Sequence, residues 1–171
     1  RRYLSNGTNK VYIIANGDQE KPIDVTTDFN LTVRWDLYKQ LGYPKADTLD
    51  DVLNVLKQMQ ELESKNSEGK KVYAFSPWLA DWGLWNFTGW FGQIKGIYSI
   101  EANLVEVTME NYDIKSAVLN EESAFWDGVL FYNKAYREGL LDPEALTQKW
   151  DQFVNKAAAN RVLACTVYWA F

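Results

Sequence analysis

Hydrophobic and polar positions along this chain alternate between short runs with a strand-like period and longer runs with a helical period. Runs rich in β-branched and aromatic residues predict strands at residues 10–15, 31–35, 71–75 and 161–171. The polar segment at residues 17–30 is predicted to be a loop. Because strands alternate with helices, the pattern indicates an α/β or α+β layered domain.

The clearest helix is predicted to begin after Thr48. Asp51 follows at the spacing of a capping box, with Asp in place of the usual Glu or Gln. An apolar stripe then recurs at helical spacing, and its members are Leu49, Val52, Leu53, Leu56 and Met59. The opposite face is polar, so we expect one side of this helix to pack inward and the other to meet solvent.

Two shorter helices flank this one along the chain. The first is predicted at residues 37–41, with Asp36 at its N-cap and Gly42 just beyond its end. The second is predicted to be capped by Thr147 and to continue to Ala157. Both predictions rest on the local start and stop signals.

A further helix is predicted to begin at an Asn120 N-cap and to end at Gly139. Its apolar stripe is more typical of a core face than of a ligand site, and consists of Phe125, Val129, Tyr132 and Tyr136. Residues 98–108, which precede it, are mixed in character and predict a small hairpin.

Aromatic residues are concentrated at residues 75–92. This stretch contains four of the eight tryptophans of the chain, namely Trp78, Trp82, Trp85 and Trp90. Either these rings build a core, or they form a platform for a ligand with apolar faces, such as a sugar that stacks on an indole ring. Residue types alone favour the core.

Composition limits the function classes. The chain has 171 residues, 47% of them hydrophobic, which is enough for one core. The net charge of -5 and the scattered basic residues argue against nucleic-acid binding. The sequence holds no glycine-rich phosphate loop, and no cofactor is expected. No apolar run is long enough for a membrane span.

The absence of histidine and the presence of one cysteine remove several kinds of site. No Cys–His or Ser–His pair, no histidine zinc site and no disulfide can form within this chain, and no metal site is expected. Cys165 is interpreted as a small buried hydrophobe in the last strand. Glycoside hydrolysis would need two carboxylates across a cleft. Asp81 lies among the tryptophans, with Asp36, Asp113 and Asp127 as conceivable partners, and spacing does not select a pair.

The order of these elements resembles that of extracellular solute-binding proteins of bacterial ABC importers, of the oligosaccharide-linked lipoprotein type similar to maltodextrin-binding proteins. The segments that carry the resemblance are NKVYIIANG, LTVRWDLYKQLGYPKADTLDDVLNVLKQMQ, KKVYAFSPW and YREGLLDPEALTQKWDQFVNKAAANRVLACTVYWAF. The matching motifs are Asp36-Leu37 with Gly42, Pro44 with Thr48 and Asp51, the turn at residues 139–143, and the strand at residues 161–169. Together they cover almost the whole chain.

The resemblance implies a periplasmic-binding-protein-like α/β lobe in which a central mixed sheet is flanked by helices. In that family, two lobes joined by crossing strands close on the solute. Residues 1–171 are then expected to be one inter-hinge lobe excised from a larger two-lobe protein, since the chain opens on Arg1 and stops inside an apolar run.

The resemblance also implies a function. The parent protein is expected to bind an oligosaccharide without catalysing a reaction, and to deliver it to the membrane permease of an ABC importer. It is expected to be a monomeric, extracellular or periplasmic lipoprotein. The implied ligand-binding residues are Trp78, Trp82, Trp85, Trp169, Asp81 and Arg34, and no catalytic residue is assigned. The alternatives are a carbohydrate-active enzyme or carbohydrate-binding domain that uses the same aromatic surface, and an interaction domain whose tryptophans are all core.

Overall fold

The structure is a computed structural model that describes residues 29–81, 83, 89–100, 104–108 and 110–167. The strand predicted at residues 10–15 lies outside these residues, as does nearly all of the loop predicted at 17–30. Three of the candidate ligand-binding residues also lie outside them, namely Trp82, Trp85 and Trp169.

A mixed layer of extended segments forms the centre of the fold. Strand β1 (Thr32–Val33) pairs antiparallel with β5 (Ala164–Cys165). Residues 71–75 continue the layer beside β5 through a parallel bridge between Tyr73 and Val162, and a further parallel bridge joins Phe75 to Leu141. The order is therefore β1, β5, residues 71–75 and residues 140–142. We call this the central layer, and it confirms the predicted mixed arrangement.

Five helices are described, and four of them correspond to predicted ones. They are α1 (Trp35–Gln40), α2 (Leu49–Leu62), α3 (Gly89–Ile94), α4 (Ala124–Arg137) and α5 (Trp150–Ala158). The helix α3 is the unpredicted one, and it buries Trp90 and Phe91 in the core. Gly89 is required at its first position because a Cβ there would lie 2.3 Å from the ring of Phe29.

The capping box predicted for α2 is confirmed. The Thr48 hydroxyl accepts a hydrogen bond from the Asp51 amide at 3.1 Å, and the Asp51 carboxylate accepts one from the Thr48 amide at 3.0 Å. Of the predicted stripe, all but the half-buried Leu49 are buried, and Val55 joins them. Local sequence was sufficient for this helix because its cap and its apolar period agree.

The start of α4 differs from the prediction. Ser123, not Asn120, occupies the N-cap: its hydroxyl donates to the Ala117 carbonyl at 2.6 Å and accepts from the Trp126 amide at 3.3 Å. The contact with Ala117 anchors the cap from outside the helix, and the helix signals of the sequence do not include it.

The inward face of α4 also differs from the predicted stripe. Tyr132 is buried, but Tyr136 is 58% exposed. The buried face is formed by Ala124, Gly128, Phe131, Tyr132 and Ala135. Ala135 occupies the inward position in the last turns of the helix, so the neighbouring Tyr136 lies on the exposed side.

Helices α1 and α5 begin at residues other than those predicted. Helix α1 begins at Trp35 with Arg34 at its N-cap, so Asp36 lies inside the first turn. Helix α5 begins at Trp150 with Lys149 at its N-cap, because turns occupy the chain around Thr147. In both cases the predicted N-cap residue lies two positions from the residue that occupies the N-cap in the structure.

A separate antiparallel sheet follows α3. Strands β2 (Ile97–Ile100) and β3 (Val105–Thr108) form the predicted hairpin. Strand β4 (Ile114–Ser116) pairs with β3 and was not predicted. The sheet order is β2, β3, β4.

Two hydrophobic clusters hold the described elements together. The larger one packs α2, α3 and α4 against the central layer, with Phe75 and Leu53 near its centre. The smaller cluster consists of Trp78, Phe153, Val162, Cys165 and Val167. Phe29 packs against both, so the two clusters are continuous. None of the helices in the described ranges has the length and hydropathy of a membrane span.

Candidate functional site

The parallel segments of the central layer end at the same edge, which we call the carboxyl edge. Residues 71–75, residues 140–142 and β5 run in one direction, so the residues that follow each of them meet there. In open α/β sheets, ligands bind beyond this edge. Asp81 and the predicted tryptophans follow the first segment, and Trp169 follows β5 in sequence. The carboxyl edge is therefore the candidate functional site.

Backbone hydrogen bonds attach the first turn beyond residues 71–75 to the segment beyond residues 140–142. The amide of Asp142 donates to the Phe75 carbonyl at 2.8 Å. Further along, the amide of Leu79 donates to Ala145 and that of Ala80 donates to Gln148, both at 3.1 Å. The start of the aromatic stretch therefore has a backbone held at several points.

A buried polar network lies beneath this turn. The Asp142 carboxylate accepts hydrogen bonds from the Ser76 hydroxyl at 2.6 Å and the Lys156 ammonium at 2.5 Å. The side-chain amide of Gln148 donates to the Ser76 carbonyl at 2.7 Å and to the Pro77 carbonyl at 3.2 Å. These contacts join both strand ends to α5.

The charge state of Asp142 follows from these contacts. Burial raises the pKa of Asp142, but the hydrogen bonds from Lys156 and Ser76 outweigh burial, and the pKa lies below the ordinary aspartate value. The side chain of Asp142 is only 2% exposed, so its charge is compensated by protein groups and not by water. The sequence predicts no role for any of these residues in this network, because no local pattern marks the partners of a buried ion pair.

Asp81 lies at the surface of the carboxyl edge. Its carboxylate accepts a hydrogen bond from the amide of Trp150, the first residue of α5, at 3.1 Å. Negative charge is favourable at this end of a helix. The hydrogen bond to Trp150 thus fixes the position of the exposed Asp81 carboxylate. In sequence, Asp81 is next to the tryptophans predicted to bind a ligand.

Trp78 does not lie on the surface of the edge. It is fully buried in the smaller cluster, with its ring centroid 4.7 Å from that of Trp150 and 4.7 Å from that of Phe153. In this conformation its ring faces have protein neighbours, so it cannot stack on a solute. Its role in the described structure is to pack the aromatic stretch onto α5.

Arg34 lies at the opposite edge of the central layer. Because β1 is antiparallel to β5, its end meets the beginning of β5, where the Arg34 amide donates to the Leu163 carbonyl at 2.9 Å. The guanidinium pairs with Asp36 and Glu63, at 2.5 Å each. The structure therefore does not bring Arg34 together with Asp81.

The ion pairs of Arg34 also leave it little capacity to bind a ligand. Its Nε and both terminal nitrogens donate to carboxylate oxygens of Asp36 and Glu63. The hydrogen bonds that Arg34 donates to Asp36 are the largest cause of the raised pKa of Arg34, those to Glu63 add to it, and the same bonds lower the pKa of Asp36. The side chain joins α1 to the end of α2.

Each carboxylate that the sequence offers as a partner for Asp81 forms an ion pair with a basic side chain. Asp36 pairs with Arg34 at the opposite edge. Asp127 pairs with Lys95 at 2.6 Å, and Asp113 pairs with Lys115 at 3.7 Å in the β2–β4 sheet. Over the described ranges, no group of three or more potential metal-ligating side chains occurs.

An apolar groove runs beside the carboxyl edge, between α4 and the turn after residues 140–142. Its volume is about 350 Å³, and its lining includes Pro77, Leu79, Val129, Tyr136, Leu141 and Leu146. Leu146 is 72% exposed on its rim. No pattern in the sequence marks this groove, because its lining comes from three segments that are separate in sequence.

The solved structures similar to this chain include two of the S. pneumoniae ABC-transporter substrate-binding protein FusA. An EF-hand mutant of FusA in complex with fructo-nystose aligns with a TM-score of 0.60 at 20% identity, over 85% of this chain and 28% of that one. FusA in complex with kestose aligns with a TM-score of 0.56 at 20% identity, over 84% of this chain and 28% of that one. No protein-family model matches the sequence, and no curated protein matches it either.

These similarities confirm the fold. The chain has an α/β fold that aligns with part of these ABC-transporter substrate-binding proteins, in agreement with the fold that the resemblance implies. It spans about 28% of the length of these solved chains.

Proposed function

We propose that this chain is one lobe of a two-lobe, non-enzymatic solute-binding protein of an ABC importer, and that its solute is an oligosaccharide. The observation that carries the proposal is the position of the aromatic stretch, which begins at the carboxyl edge of a substrate-binding-protein fold. Aromatic rings at such an edge are suited to the apolar faces of sugars. The two similar structures hold kestose and fructo-nystose.

The proposed ligand contacts are a subset of those predicted from sequence. Trp82, Trp85 and Trp169 stack on pyranose or furanose faces, and the exposed Asp81 carboxylate accepts hydrogen bonds from sugar hydroxyls. Trp78 and Arg34 are not included, because one is buried against α5 and the other lies at the opposite edge. The apolar groove beside α4 is also not included, since its mainly aliphatic lining offers few partners for hydroxyl groups.

In the proposed mechanism, this lobe and a second lobe close on the sugar by hinge motion, and the closed form is recognised by the membrane permease. This role requires export, so the parent protein acts outside the cytoplasm as a lipid-anchored extracellular or periplasmic protein. An isolated lobe binds sugar weakly, because half of the contacts and the burial of the ligand are missing.

Hydrolysis is the less favourable alternative for this surface. A glycosidase needs two carboxylates placed on either side of the scissile bond. Asp36, Asp113 and Asp127 are each paired with a basic side chain, which occupies the carboxylate oxygens that hydrolysis would require. Asp81 itself binds the first turn of α5. We therefore favour binding without catalysis.

The test is a titration of the two-lobe protein with kestose, maltotriose and a tripeptide, followed by calorimetry and tryptophan fluorescence. We expect saturable binding of at least one sugar and none of the tripeptide. Trp82→Ala, Trp85→Ala and Trp169→Ala should each weaken that binding by about tenfold or more, the range for loss of one aromatic anchor.

Trp35→Ala is the matched control. Trp35 is 62% exposed and begins α1, on the side of the central layer away from the carboxyl edge. This variant should keep the affinity of the unsubstituted protein. Equal losses from Trp35→Ala and Trp82→Ala, or no binding of either sugar, would contradict the proposal.

A further inference from the structure

A buried lysine in α5 is not required by the packing of that helix. The side chain of Lys156 is 10% exposed and lies between the carboxylates of Asp142 and Glu144, at 2.5 and 2.7 Å. Burying a charged pair costs desolvation free energy, and apolar residues of similar volume often stabilise a fold equally well or better. Lys156 therefore invites an explanation other than stability.

The contacts of Lys156 lead directly to the aromatic stretch. Its ammonium and the Ser76 hydroxyl donate to the same oxygen of Asp142, Oδ2. Ser76 is the first residue beyond the segment 71–75, and its hydroxyl also accepts a hydrogen bond from Gln148 at 2.9 Å. The backbone carbonyl of Gln148 in turn accepts a hydrogen bond from the amide of Ala80. The path ends next to Asp81.

We infer that Lys156, acting through Asp142 and Ser76, is a positioning residue that holds the backbone of residues 76–81 in the conformation required for ligand binding. The inference deepens the proposed function and rests on it for its binding consequence. Lys156 does not contact the sugar. It fixes the base from which Asp81 and the following tryptophans extend.

The physical reason lies in preorganisation. A ligand that must order a mobile loop loses affinity, whereas a loop already held in its bound conformation does not impose that cost. Charged hydrogen bonds between buried groups are short and directional, and those of Asp142 restrict the turn more tightly than apolar packing does. If the role of Lys156 were purely stabilising, its substitution would lower the unfolding temperature and leave the behaviour of the folded molecule unchanged.

The first test measures the backbone directly and does not depend on any sugar. Native-state hydrogen exchange is compared for the unsubstituted chain, Lys156→Met, Asp142→Asn and the double variant. In each single variant we expect exchange at Leu79 and Ala80 to accelerate about tenfold more than exchange at Leu163, which accelerates only through the loss of global stability. Leu163 donates to Tyr73 within the central layer and reports global opening.

The double variant tests whether the two residues act together. Residues that act through one contact have non-additive effects, so adding Lys156→Met to Asp142→Asn should accelerate exchange at Leu79 and Ala80 much less than Lys156→Met does in the unsubstituted chain. Equal acceleration at Leu79, Ala80 and Leu163 would show a general loss of stability and overturn the inference. Additive effects of the two substitutions would overturn it as well.

The second test measures affinity of the two-lobe protein for kestose, or for maltotriose if kestose does not bind, well below the unfolding temperature. Lys156→Met should weaken binding by about fivefold or more, mainly through faster dissociation. Lys134→Met is the control, because Lys134 forms an exposed pair with Asp50 at 2.7 Å away from this edge. Unchanged affinity of Lys156→Met would overturn the inference even if the proposed function holds. Changed exchange without sugar binding would contradict the proposed function alone.

Discussion

At the scale of the residue, burial decides what each polar or reactive group can do. Cys165 lies in the smaller hydrophobic cluster, and burial raises the pKa of its thiol to about 12. The thiolate is the reactive form of cysteine, so this side chain is inert while the chain is folded. Its role is that of a small apolar residue.

We therefore predict that iodoacetamide alkylates Cys165 very slowly at pH 8 in the folded chain. The same reagent should react at the rate of an ordinary thiol after unfolding in urea, because the sulfur is then exposed and its pKa is normal. Mass spectrometry of timed samples measures both rates. Fast alkylation in the absence of urea would show that β5 opens readily.

Asp142 provides a second prediction at this scale. Asp142→Asn should lower the unfolding free energy by about 3 kcal/mol at pH 7, because Lys156 loses its buried partner. The pKa of Asp142 is depressed in the folded chain. Its contribution is therefore fully present above the ordinary aspartate pKa, and is lost as the pH falls through the folded pKa.

Urea unfolding at several pH values measures this difference. The gap between the unsubstituted chain and Asp142→Asn should be constant at neutral pH and should narrow below about pH 4. Asp50→Asn is the control, since the exposed pair of Asp50 with Lys134 contributes less than about 1 kcal/mol. A gap that widens in acid would contradict the assignment.

At the scale of the element, the sequence predicted four of the five described helices, but it predicted the exact start only where the cap is wholly local. Thr48 and Asp51 satisfy each other's backbone groups within four residues of sequence, so α2 begins where the sequence predicts. The start of α5 combines a local contact, from the Lys149 amide to the Gln152 side chain at 2.8 Å, with a distant one, from the Trp150 amide to the Asp81 carboxylate. No local pattern could have shown that contact.

This contrast predicts different effects for two threonine substitutions. Thr48→Ala should lower the unfolding free energy by about 1 kcal/mol, the usual effect of losing an N-cap side chain. Thr147→Ala should change it by less than about 0.5 kcal/mol, because Thr147 is exposed and donates only to the nearby Glu144 carbonyl at 3.2 Å. Urea titrations measure both. Equal effects of the two substitutions would be inconsistent with the observed caps.

At the scale of the whole molecule, the two ends of the central layer carry different groups of ion pairs. Arg34 and the ion pairs of α1 lie at one edge, and the buried network around Asp142 lies at the other. The two hydrophobic clusters meet at Phe29, which packs against both. The described elements are thus expected to unfold together.

Cooperative unfolding can be tested with one substitution in each cluster. Leu53→Ala in the larger cluster should lower the unfolding free energy by about 3 kcal/mol, and Phe153→Ala in the smaller one by about 3 to 5 kcal/mol. Each variant should still unfold in one transition, with coincident curves from circular dichroism and tryptophan fluorescence. Separate transitions for the two probes would show that the clusters are independent.

The sequence by itself determined the alternation of strands and helices, the capped helix α2, the burial of Cys165, and the lack of histidine chemistry. These features depend on neighbours within a few residues or on composition. The carboxyl edge could be predicted only in part: the sequence indicated the aromatic stretch and Asp81, but it also selected Trp78 and Arg34.

Tertiary structure alone decided the rest. Trp78 is buried because α5 supplies Trp150 and Phe153, and Arg34 is at the opposite edge because β1 pairs antiparallel with β5. The network of Lys156, Asp142 and Ser76 joins residues that are far apart in sequence. Local pattern specifies which face of an element is apolar, whereas only packing specifies which elements that face meets and which polar groups are buried between them.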